Sequence, residues 1–226
     1  MTVSPAMQDY LAETYRLAHQ QPAQSHVSTS ALAEMLHVSA PAVTRMVARL
    51  KDAGYLNHEP YQGIQLTLTG ERAALLSIRK HRLVERFLVD VMGFGWHEVH
   101  DAADELGGVV SDTVVARMER MAGYPRRCPH GEPIPDASGV MPTVRDMRLT
   151  DAQPGVYRIS RVNSHDEARL KYLDSLALKP GIRFELVECA PFKGPLYLRV
   201  GEQVHPVGYE LATTVRVCGE AEFELA

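Results

Sequence analysis

The sequence predicts a mainly α protein with a small β domain: an N-terminal winged helix-turn-helix, a helical middle region and a C-terminal SH3-like β-barrel. Three observations lead to this fold class. A capped helix-turn-helix pattern followed by an alternating hairpin occupies residues 28–70. Apolar residues recur at helical spacing between residues 75 and 121. From residue 155 onwards, short alternating runs are separated by Gly and Pro.

Composition places the chain among ordinary globular proteins. Its 226 residues are enough for a sizeable core, and 45% of them are hydrophobic while 23% are charged. The formal net charge of −4 argues against a protein that coats nucleic acid by bulk attraction, because surface charges act over only about 10 Å at physiological salt. Any contact with DNA must therefore be local.

Targeting and redox signals favour the cytoplasm. No run approaches the roughly 18 apolar residues of a membrane span, and the first residues lack the basic and apolar regions of a signal peptide. The three cysteines, Cys128, Cys189 and Cys218, include no Cys-x-x-Cys pair, as is typical of reduced thiols. We therefore expect a cytoplasmic chain with no membrane partner.

Three helices are predicted near the N-terminus. Apolar residues of 7–19 recur on one stripe, and the Pro-containing stretch 20–25 then interrupts the pattern. Ser28, Thr29 and Ser30 offer caps for a short second helix. The clearest pattern covers residues 40–54, where a capping Ser, an early Pro and a terminal Gly bracket an apolar stripe.

A short helix, a turn, a second helix and a hairpin form a winged helix-turn-helix, in which the second helix enters the major groove of DNA. The hairpin is predicted from alternation in 55–58 and 64–69 around the turn 60–63. The same elements also serve in protein-docking modules, and this alternative stays open. The candidate base-contacting residues are Ser39, Pro41 and Thr44, and the candidate phosphate-contacting residues are Thr29 and Arg49. Arg45 is a candidate for either a guanine edge or a phosphate.

His81 and Glu85 lie four residues apart in a helical pattern, so they face the same side of one helix. A second helical pattern starts near Trp96 and carries His100 and Asp104. Two helices therefore present imidazole and carboxylate groups at a spacing that suits metal chelation. The alternative is a weakly favourable surface pair of His and Glu, the more common outcome of this spacing.

The stretch that follows is predicted to pair two copies of the chain. Ser111 and Asp112 cap a helix over residues 113–121. Together with residues 96–109, this helix supplies more apolar surface than a monomer of this size covers. We therefore predict a dimer interface here.

A Pro-rich loop at residues 124–135 contains Cys128 and His130 on either side of a proline. A thiolate and an imidazole on a stiffened segment are candidate metal ligands, whereas a buried Cys and an unrelated surface His are the alternative. Residues 136–148 predict a linker.

The C-terminal part is predicted to be a small β domain with one helix over residues 166–178. It contains no nucleophile elbow, phosphate-binding loop or glycine fingerprint. Catalysis is therefore not expected. The predicted strands cover residues 156–162, 182–189, 196–200 and 213–217.

Several motifs together resemble the diphtheria toxin repressor family of metal-dependent transcription regulators, over essentially the whole chain. These motifs lie at residues 39–50, 67–70, 79–88, 99–101 and 111–112. The loop Cys128-Pro129-His130-Gly131 is similar to that of the manganese-responsive branch.

The resemblance implies two groups of metal ligands. The first, which holds one metal ion, consists of Glu85, Cys128, His130 and Asp166. An ancillary site of other members matches His81, Glu85 and His100, so these histidines belong either to the same site or to a neighbouring one.

A further family site departs from the pattern. Asp9 and Asp104 occupy positions at which iron-sensing members carry Met and Cys, and oxygen ligands favour manganese. Gly107 and Gly108 stand where a Glu and a His are expected, with Glu105 as the available substitute.

The resemblance also implies a function. The implied protein is a repressor of metal-uptake genes. It binds Mn²⁺, or else Fe²⁺ or another divalent transition metal, and then binds a palindromic double-stranded DNA operator as a homodimer. The implied domains are 1–72 (winged helix-turn-helix), 73–142 (dimerisation and metal binding) and 149–226 (SH3-like, FeoA-like). We expect no enzyme, and two alternatives stay open: a winged-helix regulator that senses a small organic ligand, and a metallohydrolase at His81, Glu85 and His100.

Overall fold

The computed structural model of the chain describes residues 3–20, 26–59 and 62–225. These residues divide into two units. The first contains the described residues up to His81 together with Pro135–Met141, and the second contains Arg82–Ile134 and the described residues from Pro142 onwards. Within the described ranges, no helix is both long and apolar enough to cross a membrane.

Three helices open the first unit: α1 (Pro5–Gln20), α2 (Thr29–Met35) and α3 (Ala40–Asp52). Ser28 caps α2, because its hydroxyl accepts a hydrogen bond from the Ala31 amide. Ser39 has the extended backbone of an N-cap before α3 but makes no side-chain capping bond. Gly54 ends that stretch with a φ of +79°, a conformation that glycine adopts without strain.

The wing is an antiparallel hairpin of β1 (Leu56–Glu59) and β2 (Gly63–Leu66). Val27 and Ile64 exchange two backbone hydrogen bonds of 2.8 Å each, which attach the hairpin to the segment before α2. Pro60 and Tyr61 of the predicted turn lie outside the described residues, as do residues 21–25 of the predicted interruption.

One long helix, α4 (Leu68–Asp90), follows the hairpin directly. Thr67 fixes its start, because the Thr67 hydroxyl donates to the Gly54 carbonyl (2.8 Å) and accepts from the Gly70 amide (3.1 Å). Gly70 lies so close to the preceding chain that a Cβ would be 1.8 Å from the Tyr55 carbonyl oxygen. The residues of α4 up to His81 belong to the first unit, and those from Arg82 onwards belong to the second.

A single apolar core holds the first unit together. It includes the fully buried side chains Leu11, Leu32, Val43, Leu50, Ile64 and Ile78. Because α3 turns Val43, Val47 and Leu50 inward, its opposite face is left in solvent with Thr44 and Arg45.

The second unit begins with the C-terminal part of α4, α5 (Val99–Gly107) and α6 (Asp112–Met121). Ser111 caps α6 by accepting a hydrogen bond from the Val114 amide. The expected second helix does not begin near Trp96 but at Val99. The reason is that the Trp96 side chain packs into the core of the C-terminal β domain (residues 147–225). The core of the three helices consists of Leu83, Val84, Leu88, Val99, Ala103, Val115 and Ile134.

A six-stranded antiparallel sheet forms the β domain, in the strand order β3-β8-β4-β5-β6-β7. In the part of the chain that the structure describes, the edge strands β3 and β7 do not pair with each other, so the expected barrel is an open sheet. The predicted class, mainly α with a small β domain, is confirmed. The elements are β3 (Met147–Arg148), a 3₁₀ turn (Leu149–Asp151), β4 (Gly155–Val162), α7 (Glu167–Ser175), β5 (Arg183–Cys189), β6 (Leu196–Val200), β7 (Gln203–Val207), α8 (Tyr209–Ala212), β8 (Val215–Cys218) and α9 (Glu220–Leu225).

Asp146, in the predicted linker, is a buried carboxylate that joins two strands of this sheet. Its side chain is 1% exposed and accepts hydrogen bonds from Arg161 Nε (2.8 Å), Arg216 Nε (2.5 Å) and the Ser160 hydroxyl (3.0 Å). Burial opposes the charge, but the two guanidinium groups outweigh it and lower the pKa of Asp146.

Asp146→Asn is expected to destabilise the β domain by about 3–5 kcal/mol at pH 7, because it leaves two guanidinium groups without their buried carboxylate. Since the folded-state pKa of Asp146 is lowered, its contribution is present above the unfolded carboxyl pKa of about 3.9 and is lost as the pH falls through the folded value. Urea unfolding at pH 7 and pH 3 measures both effects. Asp174→Asn, which breaks an exposed pair with Lys179, is the control and should cost less than about 1 kcal/mol.

Candidate functional site

Three buried side chains converge in the second unit: Glu85 from α4, and Cys128 and His130 from the loop after α6. They are 2%, 3% and 1% exposed respectively. One ligand atom from each lies within 4.8 Å of the other two. His130 Nδ1 is 3.6 Å from Glu85 Oε1 and 4.0 Å from Cys128 Sγ. A carboxylate, a thiol and an imidazole thus face one another in the protein interior.

The loop that carries Cys128 and His130 (residues 126–135, the Cys-Pro-His loop) is closed by its own backbone. The Cys128 amide donates to the Glu132 carbonyl (2.8 Å), and the Gly131 amide donates to the Cys128 carbonyl (2.9 Å). Gly131 has a φ of +85°, and a Cβ there would be 2.2 Å from the Ser160 carbonyl oxygen. Only glycine therefore fits between His130 and strand β4.

The hydrogen bonds of His130 determine which of its nitrogens is free to bind a ligand. Nε2 lies 2.8 Å from the Trp96 carbonyl oxygen, which can only accept, so Nε2 carries the hydrogen. In the neutral ring, the lone pair is then on Nδ1, the atom that faces Glu85 and Cys128. This is the arrangement found when an imidazole ligand is held by a second partner.

The chemistry of this group fits a divalent metal ion. Burial, reinforced by the negative charge of Glu85, raises the pKa of the Cys128 thiol. Without a cation, a second negative charge beside Glu85 is therefore unfavourable. Thiolate, imidazole and carboxylate are ligands for first-row divalent transition metals, which supply the missing positive charge.

Metal affinity is expected to rise with pH. Because the raised pKa keeps Cys128 as a thiol at neutral pH, binding as a thiolate releases one proton and the dissociation constant should fall about tenfold per pH unit between pH 7 and 8. Calorimetry in buffers of different ionisation enthalpy measures both the affinity and the released proton. The exposed Cys189 serves as the control, since Cys189→Ala should leave the slope unchanged. A dissociation constant that is independent of pH would contradict thiolate ligation.

His100 of α5 lies beside this group. Its Nδ1 is 3.2 Å from Glu85 Oε1, and its Nε2 is 3.5 Å from Asp104 Oδ2. The ring of His165, which the sequence did not single out, stacks on His100 with centroids 3.8 Å apart and lies 5.6 Å from that of His130. Glu85 therefore contacts two imidazoles, and a third completes a cluster of aromatic rings.

Two further predicted metal ligands, His81 and Asp166, are not part of this group of three. His81 lies one helical turn before Glu85 on α4 and is partly buried. Asp166 is exposed and caps α7, with its carboxylate accepting from the Arg169 amide (2.8 Å). Asp166 is outside the group formed by Glu85 and its two loop partners. Its neighbour His165 shows that the chain at Asp166 runs close to this group.

The residues of the further family site are at the surface. Asp9 is exposed on α1, and Asp104 and Glu105 are exposed on α5. Gly107 ends α5 and Gly108 follows it, so neither position offers a ligand side chain.

Hydrogen bonds and ion pairs of charged side chains connect the Cys-Pro-His loop to α4 and to the β domain. Arg82 donates to the Pro133 carbonyl (2.5 Å) and to Glu132 Oε2 (3.2 Å). Arg161 of β4 donates to the same Glu132 carboxylate (3.1 Å). Sequence reasoning missed this role, because nothing in the sequence signals that charges so far apart along the chain meet.

The candidate DNA-contacting residues lie in the first unit, around α3. The hydroxyl of Thr44 donates to the Ala40 carbonyl (3.0 Å) and keeps its acceptor capacity. The exposed face of α3, which carries Thr44, Arg45 and Arg49, can form hydrogen bonds with base edges and phosphates if it enters a major groove. Ser39, Pro41, Thr44, Arg45 and Arg49 are exposed, whereas Thr29 at the start of α2 is partly buried.

Three family models match successive parts of the chain. Residues 2–64 match the N-terminal DNA-binding domain of iron-dependent repressors. Residues 67–136 match their metal-binding and dimerisation domain. Residues 147–218 match the FeoA domain.

Solved structures of metal-dependent regulators resemble most of the chain. A manganese-dependent transcriptional repressor in complex with manganese has a TM-score of 0.85 at 33% identity and covers 93% of this chain and 98% of its own. The structure of ScaR with bound Cd²⁺ has a TM-score of 0.77 at 29% identity and covers 94% of this chain and 99% of its own.

The family models and the solved structures identify a metal-dependent DNA-binding repressor. The chain is 31% identical over 199 residues to the iron-dependent repressor IdeR of Mycobacterium leprae, which spans 82% of this chain and 86% of that protein. It is 35% identical over 140 residues to the diphtheria toxin repressor of Corynebacterium diphtheriae, which spans 58% and 62% respectively. The chain belongs to the iron-dependent repressor family, that of the diphtheria toxin repressor. The expected resemblance is confirmed, and so is the expectation of a transcriptional repressor rather than an enzyme.

Proposed function

We propose that this repressor responds to Mn²⁺, acts in the cytoplasm as a homodimer, and silences metal-uptake genes by binding a palindromic operator. We propose that residues 1–72 bind DNA, that residues 73–142 form the dimer and bind the metal, and that residues 149–226 form the FeoA-like domain. The observation that carries the proposal is the convergence of Glu85, Cys128 and His130 in the interior.

Glu85, Cys128 and His130 would hold the metal ion, with Asp166 as a fourth ligand and His81 and His100 as neighbouring ligands. When bound, a divalent cation supplies the charge that a buried carboxylate and thiolate require. Asp166 supports a role for the β domain in this centre, because it follows His165, whose ring lies 5.6 Å from that of His130. His100 Nδ1 lies 3.2 Å from Glu85 Oε1, the same oxygen that faces His130, and would orient the carboxylate.

The choice of metal depends on more than affinity. Oxygen ligands suit Mn²⁺, whereas the thiolate of Cys128 is softer and binds Zn²⁺ or Cd²⁺ more tightly. Similar proteins have been crystallised with manganese and with Cd²⁺. We propose that metal availability in the cell selects Mn²⁺, with Fe²⁺ as the alternative.

An uncovered apolar surface on α6 and its surroundings supports the homodimer. We call it the helical apolar face. Val115 of α6 is buried in the unit's own core and Met118 is partly buried against it, but other apolar side chains of α6 and its flanks are exposed. Among the described residues, four apolar side chains here are exposed: Val109 (79%), Val114 (46%), Met121 (62%) and Tyr124 (65%). Exposed apolar side chains grouped on one helix and its flanking residues are typical of an interface, and a palindromic site would require the α3 helices of the two copies to lie about 34 Å apart, one turn of DNA.

The proposal links metal binding to DNA binding. A coupling free energy of about 1–3 kcal/mol would change operator affinity roughly 5- to 150-fold, and operator binding would tighten metal binding by the same factor. Within α3, Arg45 is proposed to contact a base edge, and Arg49 a phosphate.

A gel shift with a palindromic operator, in Mn²⁺ and after EDTA, tests this function. Mn²⁺ should promote retention, EDTA should reverse it, and Arg45→Ala should weaken it by about 1–3 kcal/mol without changing metal content. Arg183→Ala, an exposed arginine of β5, is the matched control. Retention that is indifferent to EDTA would contradict metal control and would favour a regulator that senses an organic ligand.

A further inference from the structure

Trp96 connects the core of the β domain to the proposed metal centre. Its side chain is 5% exposed and belongs to the apolar core formed by Leu149, Ile159 and other residues of that domain. Its own carbonyl oxygen lies 2.8 Å from His130 Nε2. We infer that Trp96 is a positioning residue: the buried indole holds this carbonyl in place, and the carbonyl turns His130 Nδ1 towards Glu85 and Cys128. This inference rests on the metal centre proposed above.

The β domain holds both partners of this hydrogen bond. On the side of His130, the Val162 amide of β4 donates to the His130 carbonyl (2.9 Å). On the side of the acceptor, the Trp96 indole lies in the core of the same domain, with its ring centroid 5.8 Å from that of His130. The orientation of the imidazole therefore depends on how this indole is packed.

The segment that carries the carbonyl has few other attachments. Within residues 91–98, all of which the structure describes, Trp96 alone is buried. The nearby bonds are local: the Phe94 amide donates to the Leu88 carbonyl (3.1 Å), and the Gly95 amide donates to Glu98 Oε1 (2.9 Å). Removing the indole would leave the Trp96 peptide free to move away from His130.

The contribution of Trp96 is apolar. Its indole Nε1 is buried and has no hydrogen-bond partner among the described residues. A phenylalanine ring would fill most of the same space without this unsatisfied donor. Trp96→Phe should therefore preserve the position of the carbonyl, whereas Trp96→Ala should not.

Cobalt titration of the full chain tests the inference, because Co²⁺ bound to a thiolate gives a near-ultraviolet charge-transfer band and its visible bands report coordination geometry. Loss of an outer partner of a metal ligand typically weakens binding about 10- to 100-fold, which is the effect expected for Trp96→Ala, together with altered visible bands. For Trp96→Phe, the cobalt dissociation constant should stay within about threefold of the wild-type value, a change smaller than that 10- to 100-fold range.

Phe184→Ala is the control, since Phe184 is 2% exposed in the same core and its removal changes no residue that bonds to His130. It should leave cobalt affinity and the visible bands unchanged. Equal weakening by Phe184→Ala and Trp96→Ala, or wild-type binding by Trp96→Ala, would overturn the inference. A wild-type chain without the thiolate band would instead overturn the metal centre itself.

A measurement on the wild type covers the case in which Trp96→Ala does not fold. Trp96 is the only tryptophan of the chain, so its fluorescence reports this position alone. Titration with Zn²⁺ should change the emission and saturate at the same metal equivalents as the cobalt band. Emission that stays constant while metal binds would also overturn the inference.

Discussion

Cys128→Ala and Glu85→Ala are each expected to reduce metal affinity by about 100-fold or more, beyond the range observed when only an outer partner of a ligand is lost. The reason is that each change removes one of the three donors that converge in the interior. Metal-dependent retention of the operator should disappear at Mn²⁺ concentrations that saturate the wild type. Equilibrium dialysis measures the first effect, and a gel shift at matched free metal measures the second.

Two controls separate ligand loss from general damage. Cys189→Ala removes an exposed thiol of β5 and should leave both metal affinity and retention unchanged. Thermal unfolding without metal should show that Cys128→Ala is folded, since a buried thiol behaves as a small apolar group. Retention by Cys128→Ala and Glu85→Ala equal to that of the wild type at the same free metal would refute the proposed centre.

Val114→Glu is expected to convert the proposed dimer into a monomer and to weaken operator binding by about 100-fold or more, because binding through two linked half-sites exceeds the affinity of one by 10²- to 10⁴-fold. Val114 is 46% exposed on the helical apolar face, where a second copy would bury the introduced charge without a partner. Sedimentation velocity gives the oligomeric state, and a gel shift gives the operator affinity.

Val204→Glu is a matched control. Val204 is also a valine of similar exposure, 44%, but it lies on β7 of the β domain. It should remain dimeric and bind the operator normally. A dimeric Val114→Glu variant would show that the helical apolar face is not the interface.

Local patterns along the chain predicted the helices well but not their full extent. The start and end of α3 follow from Pro41 and Gly54, which act within a few residues of themselves. The first turns of α4 were missed, because Leu68 is 87% exposed and the cap is a Thr67 hydroxyl bonded to Gly54, far outside that helix. Strand β7 was missed because it is largely exposed and contains Pro206, a residue that argues against a strand.

For the metal centre, residue types and spacing indicated the chemistry but not the surroundings. His81 and Glu85 were recognised by helical spacing, and Cys128 and His130 by their loop. The roles of Trp96 and His165 depend on tertiary contacts with residues far away in the chain. Asp166 came from family resemblance, and its part in the centre stays a proposal.

The open sheet of the β domain bears on self-association. One edge strand, β3, has only two residues, and the other, β7, contains Pro206, which has no amide hydrogen. Long, flat edges with free amides and carbonyls recruit strands from other molecules, whereas short or proline-containing edges resist such recruitment. The sheet of the β domain should therefore form no β-mediated polymers even at high concentration, so the proposed homodimer would have to pair through other surfaces.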